Sequence, residues 1–80
     1  MSYVYLLRSL PFPSRHYVGL TDDLVGRLAH HNRKASKSTA KYAPWEPVVV
    51  VRFKSGRRAR DFERYLKMGS GHAFAKRHFW

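Results

Sequence analysis

Four consecutive valines, Val48 to Val51, constrain this chain more than any other feature. β-Branched side chains are crowded in a helix and fit the pleated surface of a sheet. The run continues into Arg52-Phe53 with no polar residue interrupting the valines, so Val48–Phe53 reads as a strand buried on both faces. A strand needs partners, and the N-terminal part of the chain supplies two further runs of strand formers, Tyr3–Arg8 and His16–Leu20. Between them Leu10-Pro11-Phe12-Pro13-Ser14 cannot continue a central strand, because proline has no N–H for the ladder. A hairpin with a longer loop is the natural connection.

The rest of the chain changes period. Thr21-Asp22-Asp23 offers an N-cap and acidic first-turn residues, and Leu24, Val25 and Leu28 follow at helical spacing. A helix is expected over about Asp22–Arg33, weakened by about 1 kcal/mol at Gly26. Arg33–Tyr42 is polar and reads as an exposed basic loop. Pro44 and Pro47 bracket Trp45-Glu46 ahead of the valines. Lys54-Ser55-Gly56 turns the chain into a second helix over Arg57–Met68, with Ala59, Phe62 and Leu66 on one face. Gly69-Ser70-Gly71 ends it, and His72–Phe79 forms a last short helix. The expected fold is α/β of the α+β kind: a small three-stranded, mainly antiparallel sheet flanked by helices, in the order β-β-α-β-α-α, as one domain over residues 1–80.

Composition narrows the function. Sixteen Lys and Arg face five Asp and Glu, a formal net charge of +11. Such an excess favours a polyanion, since each neutralised phosphate releases condensed counterions. The basic residues run through the whole chain and form no juxtamembrane cluster, which favours nucleic acid over a membrane surface. There are no cysteines, so disulfides, zinc fingers and thiol nucleophiles are excluded. The first residues lack a signal-peptide pattern, no apolar run approaches a membrane span, and the expected setting is the cytoplasm.

Tyr3-Val4-Tyr5, followed about a dozen residues later by Tyr17-Val18-Gly19, resembles the paired motif of the GIY-YIG nuclease superfamily. Asp23-Leu24-Val25-Gly26-Arg27-Leu28-Ala29-His30-His31 resembles the helix after the second motif, with an Arg and a His four residues apart. Ala59-Arg60-Asp61-Phe62-Glu63 resembles the later helix that carries the family's single metal-binding Glu. The match runs from Tyr3 to about Lys67, in the small stand-alone form similar to the N-terminal nuclease domain of the nucleotide-excision-repair excinuclease. The resemblance implies a divalent-metal-dependent endonuclease acting on double-stranded or branched DNA, linked to repair or recombination. It implies an active site of Tyr5, Tyr17, Arg27, His31 and Glu63, with Tyr17 as general base and Mg²⁺ or Mn²⁺ on Glu63.

The residues themselves allow this chemistry without requiring it. Arg27 and His31 share a helix face. An Arg there can grip a phosphate with two parallel hydrogen bonds and stabilise charge developing on phosphorus. A His suits proton transfer near neutrality. By themselves the two are better read as a solvated Arg and a surface His. Glu63 flanks the apolar stripe of its helix, and one carboxylate plus waters suffices for Mg²⁺; alternatively it pairs with Arg60 or Lys67. Tyr5 and Tyr17 are equally strand tyrosines of a core, and Gly19 serves either close backbone approach or an ordinary turn. Arg33, Lys34, Lys37, Lys41, Arg57 and Arg58 suit phosphate contacts or plain solvation. Trp45 and Trp80 are assigned to packing ahead of base stacking.

Three positions depart from the family pattern. Tyr3 stands where the motif name has Gly, and Leu20 where many members have Lys. The only asparagine is Asn32, so the Asn that many members carry after the second helix is missing or replaced in role by Ser70. Two rivals follow: a non-catalytic nucleic-acid-binding module of the same fold, and a basic structural subunit of a ribonucleoprotein. With no targeting domain expected, specificity is low, is set by DNA structure, or is supplied by a partner protein. Nothing in the sequence fixes an oligomeric state.

Overall fold

The computed structural model describes residues 1–33 and 37–80, with only the backbone of Ser38. Strands β1 (Ser2–Ser9) and β2 (His16–Thr21) are followed by helices α1 (Leu24–Asn32) and α2 (Lys37–Ala40). Strand β3 (Trp45–Phe53) and helices α3 (Gly56–Leu66) and α4 (Gly69–His78) complete the chain. The sheet is antiparallel in the order β2-β1-β3. The expected α+β architecture and element order hold, with α2 as an added turn. No helix among the described residues is long and apolar enough to cross a membrane.

The expectation for the valines is corrected. β3 lies at an edge of the sheet, and Val50 is 40% exposed while its neighbours are half-buried. The strand buried on both faces is β1, whose Val4, Leu6 and Leu7 are completely buried. An apolar run reports that a strand forms, and only the pairing decides which strand is bonded on both sides. β3 also starts earlier than Val48 and includes Pro47. The register slips between Leu6 and Leu7, where Leu6 opposes Val49 and Leu7 opposes Pro47. An edge strand with such an irregularity tolerates a residue that cannot donate to the ladder.

Alternation along β1 divides the core in two. Val4 and Leu6 pack with Ala59 and Leu66 of α3 and Ala75 of α4, joined by Val18, Leu20 and Trp80. Tyr5 and Leu7 point to the other face, toward Ala43, Trp45, Tyr17 and the α1 residues Leu24 and Leu28. The β1–β2 loop is tied at its base, where Ser9 N–H donates to the Arg15 carbonyl (3.1 Å) and Phe12 N–H to Ser9 Oγ (3.1 Å).

The helix ends follow local chemistry. Asp23 caps α1, its Oδ1 accepting from Gly26 N–H at 3.1 Å, and Ser55 caps α3 by accepting from Arg58 N–H at 3.3 Å. The glycines read as a stop for α3 instead open α4, which begins at Gly69. Gly71 is buried where α4 crosses the end of α3, and a Cβ there would run into the backbone carbonyl of Tyr65. Close approach of two backbones is the reason for that glycine. The polar segment before β3 is not simply an exposed loop: within it α2 buries Thr39 completely. Lys34 lies outside the described residues.

Candidate active site

The site is assembled by three neighbouring positions of the hairpin. Tyr5 on the central strand stands opposite Gly19 on β2. Its ring lies flat across that glycine: a Cβ at position 19 would come within 2.7 Å of Tyr5 Cε2 and nearer still to Cζ and the hydroxyl oxygen. Gly19 therefore makes room for the Tyr5 ring from the neighbouring strand, a role different from the close backbone approach or ordinary turn read from the sequence. Two residues earlier on the same strand face, Tyr17 places its ring centroid 6.2 Å from that of Tyr5.

Helix α1 completes the group from above. His31 is 1% exposed, and its Nε2 shares a hydrogen bond with the Tyr5 hydroxyl at 3.0 Å. Its other nitrogen, Nδ1, is bonded to Thr39 Oγ1 at 2.8 Å. Tyr17 meets the imidazole edge-on at 4.9 Å between centroids. Every nitrogen of the ring is thus occupied, which satisfies a buried polar side chain. Burial, then the charges of Arg27 and His30, hold the His31 pKa below its ordinary 6.5, so the ring is neutral at pH 7. The Tyr5 hydroxyl moves the opposite way. Burial and the adjacent Tyr17 push its pKa up to about 12, with Glu63 adding and Arg27 opposing. Tyr5 consequently keeps its proton across the physiological range.

Arg27, one turn before His31, is exposed and lines a surface groove of about 320 Å³ with Thr21, His30 and Arg33. Glu63 projects from α3, which packs against β1 and β2. Its side chain is 19% exposed and forms an ion pair with Lys67 at 2.6 Å, the i,i+4 alternative open from the sequence. The influence of both charges on Tyr5 places Arg27 and Glu63 within electrostatic reach of the Tyr5–Tyr17–His31 group. Tyr5, Tyr17 and His31 are in direct contact, whereas Arg27 and Glu63 reach the group through their charge on Tyr5. The basic residues converge less. Arg33 joins the Arg27 groove, Lys37 and Lys41 are exposed around α2, and Arg57 and Arg58 are exposed on the first turn of α3 without a contact to that groove.

Among the described residues no cluster of three or more His, Cys, Asp or Glu could cage a metal. The donor set still fits a divalent ion of the Mg²⁺ kind. Such an ion retains several waters and takes one or two carboxylates plus substrate phosphate oxygens. Glu63 is a partly buried carboxylate, and the 54% exposed Lys67 has room to move off it.

Two supporting residues, Thr39 and Asn32, escaped the sequence. Thr39 bonds His31 from the side away from Tyr5, and its carbonyl accepts from the Trp45 indole N–H at 2.9 Å. Asn32 clamps the backbone of Trp45: its Oδ1 accepts from Trp45 N–H at 2.7 Å, and its Nδ2 donates to the Trp45 carbonyl at 3.3 Å. Trp45 is buried, as its packing assignment expected. The signal was the isolated Trp between two prolines next to a Ser/Thr-containing segment. Leu20, at the position where many family members carry Lys, packs into the α3-side core. Ser70 is exposed and lines a groove with Phe74 and Arg77.

The three-stranded antiparallel sheet with its flanking helices carries the tyrosine pair on adjacent strands. Residues 1–76 match the family model described as the GIY-YIG catalytic domain, and the chain belongs to the GIY-YIG family. It is similar to the structure-specific endonuclease subunit SLX1 of Candida dubliniensis, with 38% identity over 94% of the chain and 27% of that protein. The protein of the same name in Debaryomyces hansenii is 35% identical over 94% of the chain and 22% of its own length. A homologue in Giardia intestinalis is 35% identical over 61% of the chain and 14% of its own length. The chain therefore spans about a quarter of the length of the first two relatives.

Proposed function

We propose that this chain is a metal-dependent endonuclease module that hydrolyses phosphodiester bonds in double-stranded or branched DNA, in a repair or recombination setting. One observation carries the reading: a buried, neutral Tyr5–His31 pair lies directly beside Tyr17, with Arg27 and Glu63 acting on the same group. Since Tyr5 holds its proton, Tyr17 is the tyrosine left to accept one from the attacking water. Tyr17 acts as its phenolate: the water oxygen bonds to phosphorus, the water proton passes to the Tyr17 oxygen, and the bond from phosphorus to the leaving sugar oxygen breaks, that oxygen departing as an alkoxide that takes up a proton from solvent. Arg27 grips the scissile phosphate and offsets the charge that develops on it. Tyr5 and His31 hold Tyr17 in place and keep bulk water out. A divalent ion bound through Glu63, Mg²⁺ or Mn²⁺, supplies stabilisation of the leaving oxygen.

Arg33, Lys37, Lys41, Arg57 and Arg58, with Lys34, are proposed to contact backbone phosphates away from the scissile one. All three similar proteins carry the word subunit in their names, which supports a partner protein that directs the cut. A non-catalytic DNA-binding module has one observation in its favour, the existing ion pair between Glu63 and Lys67. Purified protein incubated with nicked, forked and flap DNA in Mg²⁺ or Mn²⁺ separates the two. The nuclease reading expects cutting that EDTA and Glu63→Ala abolish. Tight, salt-sensitive binding with no cutting on any substrate would establish the binding module instead.

A further inference from the structure

A second feature begins at Tyr17 and runs away from Arg27. A groove of about 350 Å³ is bordered by Tyr17, Lys67, His72, His16 and Trp80, on an apolar floor of Val18 and Leu66. It adjoins a second groove of about 540 Å³ that shares His16, His72 and Trp80 and adds Lys76. Where they meet, the imidazole of His16 lies on the indole of Trp80, centroids 3.8 Å apart and planes 2° from parallel. Trp80 is anchored below by the core and at its carbonyl by Arg8 Nη2, 3.4 Å away. His16 is exposed, so the ring face turned away from Trp80 is open. Burial first, then the neighbouring Arg8 and His72, lowers the His16 pKa, so the platform is a neutral aromatic ring. Among the described residues, no acidic side chain lines either groove.

We propose that this groove is a subsite for an unpaired nucleotide of the substrate, its base stacked on His16 and its phosphates held by Lys67, His72 and Lys76. A flat π-face bordered by cations binds single-stranded nucleic acid without reading sequence. Paired bases present edges and backbone, so a duplex cannot occupy the platform without releasing a base. The groove opens at Tyr17, so the unpaired nucleotide lies next to the scissile bond. The subsite deepens the proposed endonuclease function and rests on it: the module would favour junctions at which a strand leaves the duplex.

The test compares affinities by fluorescence anisotropy in EDTA, where nothing is cut. Two labelled probes are used, a duplex with a short oligothymidine flap and the flush duplex of the same length. Stacking of one base is worth about 5- to 150-fold in affinity, so His16→Ala is expected to lower the ratio of flap to duplex affinity by a factor in that range. His16→Phe, which keeps a stacking face, is expected to retain the ratio. An unchanged ratio in His16→Ala, or an equal loss on both probes, would overturn the subsite. Because the assay reads binding, it stands apart from the nuclease reading. Glu63-dependent cutting with no flap preference refutes the subsite alone, and flap preference without cutting refutes the nuclease alone.

Discussion

Replacing Gly19 by alanine adds one methyl group at the most crowded point of the site. The new Cβ would meet Tyr5 Cε2 at 2.7 Å, and ordinary contact begins at 3.4 Å, so the ring must retreat at least the difference, about 0.7 Å. It cannot do so freely. Tyr5 is 1% exposed, with Tyr17 and His31 as ring neighbours. A shift of that size disturbs the 3.0 Å bond to His31, whose geometry tolerates only a few tenths of an ångström. Overpacking of this kind costs about 1–3 kcal/mol, and a misplacement near 1 Å in a catalytic group costs on the order of 100-fold in rate. Urea denaturation and single-turnover cleavage of a flap substrate measure the two effects. Gly69→Ala is the matched control, because a Cβ there meets nothing within 4 Å. A Gly19→Ala protein with wild-type stability and wild-type cleavage would refute the argument that Tyr5 is held by contact with the glycine.

Three further outcomes are expected. Thr39→Val leaves His31 Nδ1 buried without a partner and should cost about 1–3 kcal/mol, while Thr39→Ser retains most of the stability; equal denaturation midpoints for the two would count against the bond. Gly71→Ala should destabilise by about 1–3 kcal/mol through overpacking against the Tyr65 carbonyl, read from the same denaturation curves, with Gly69→Ala unaffected. Stability should also depend on pH through His31, whose folded pKa lies below 6.5. Above pH 6.5 both states are neutral and His31 contributes no slope. Below it the unfolded chain takes up the proton first, so stability falls until the folded pKa is passed. Denaturation at a series of pH values should show that fall in the wild type and a smaller one in His31→Gln.

Much of the architecture is written in local pattern. The two upstream strands, the capped start of α1 at Asp23 and the Ala59–Phe62–Leu66 stripe of α3 each follow from period and end chemistry. The rank of the strands does not. Val48–Val51 is the most apolar run, yet β1 takes the centre because it is bonded on both sides. Pattern also could not show that Thr39, inside a polar segment, is drawn inward by a histidine eight positions earlier and by the tryptophan it packs beside. The candidate site was legible through the resemblance to the GIY-YIG motifs, with which the spacing is compatible: Arg27 and His31 one turn apart, Tyr5 and Tyr17 on paired strands, Glu63 beside a buried stripe. Spacing gave no sign that Tyr5 and His31 bond to each other. That contact depends on the register that sets Tyr5 opposite Gly19, and a hairpin with a long proline-containing loop leaves its register open.

Tyr17→Phe removes one oxygen atom from a ring that is only half-buried, and the fold should survive it. Single-turnover cleavage of a flap substrate by this variant, with binding of the same substrate measured in EDTA, isolates the step. General acid–base catalysis contributes about 10²–10⁴-fold, so cleavage should slow by that factor while binding stays within about twofold. A Tyr17→Phe protein that cuts at the wild-type rate would contradict the central claim that Tyr17 takes the proton from water.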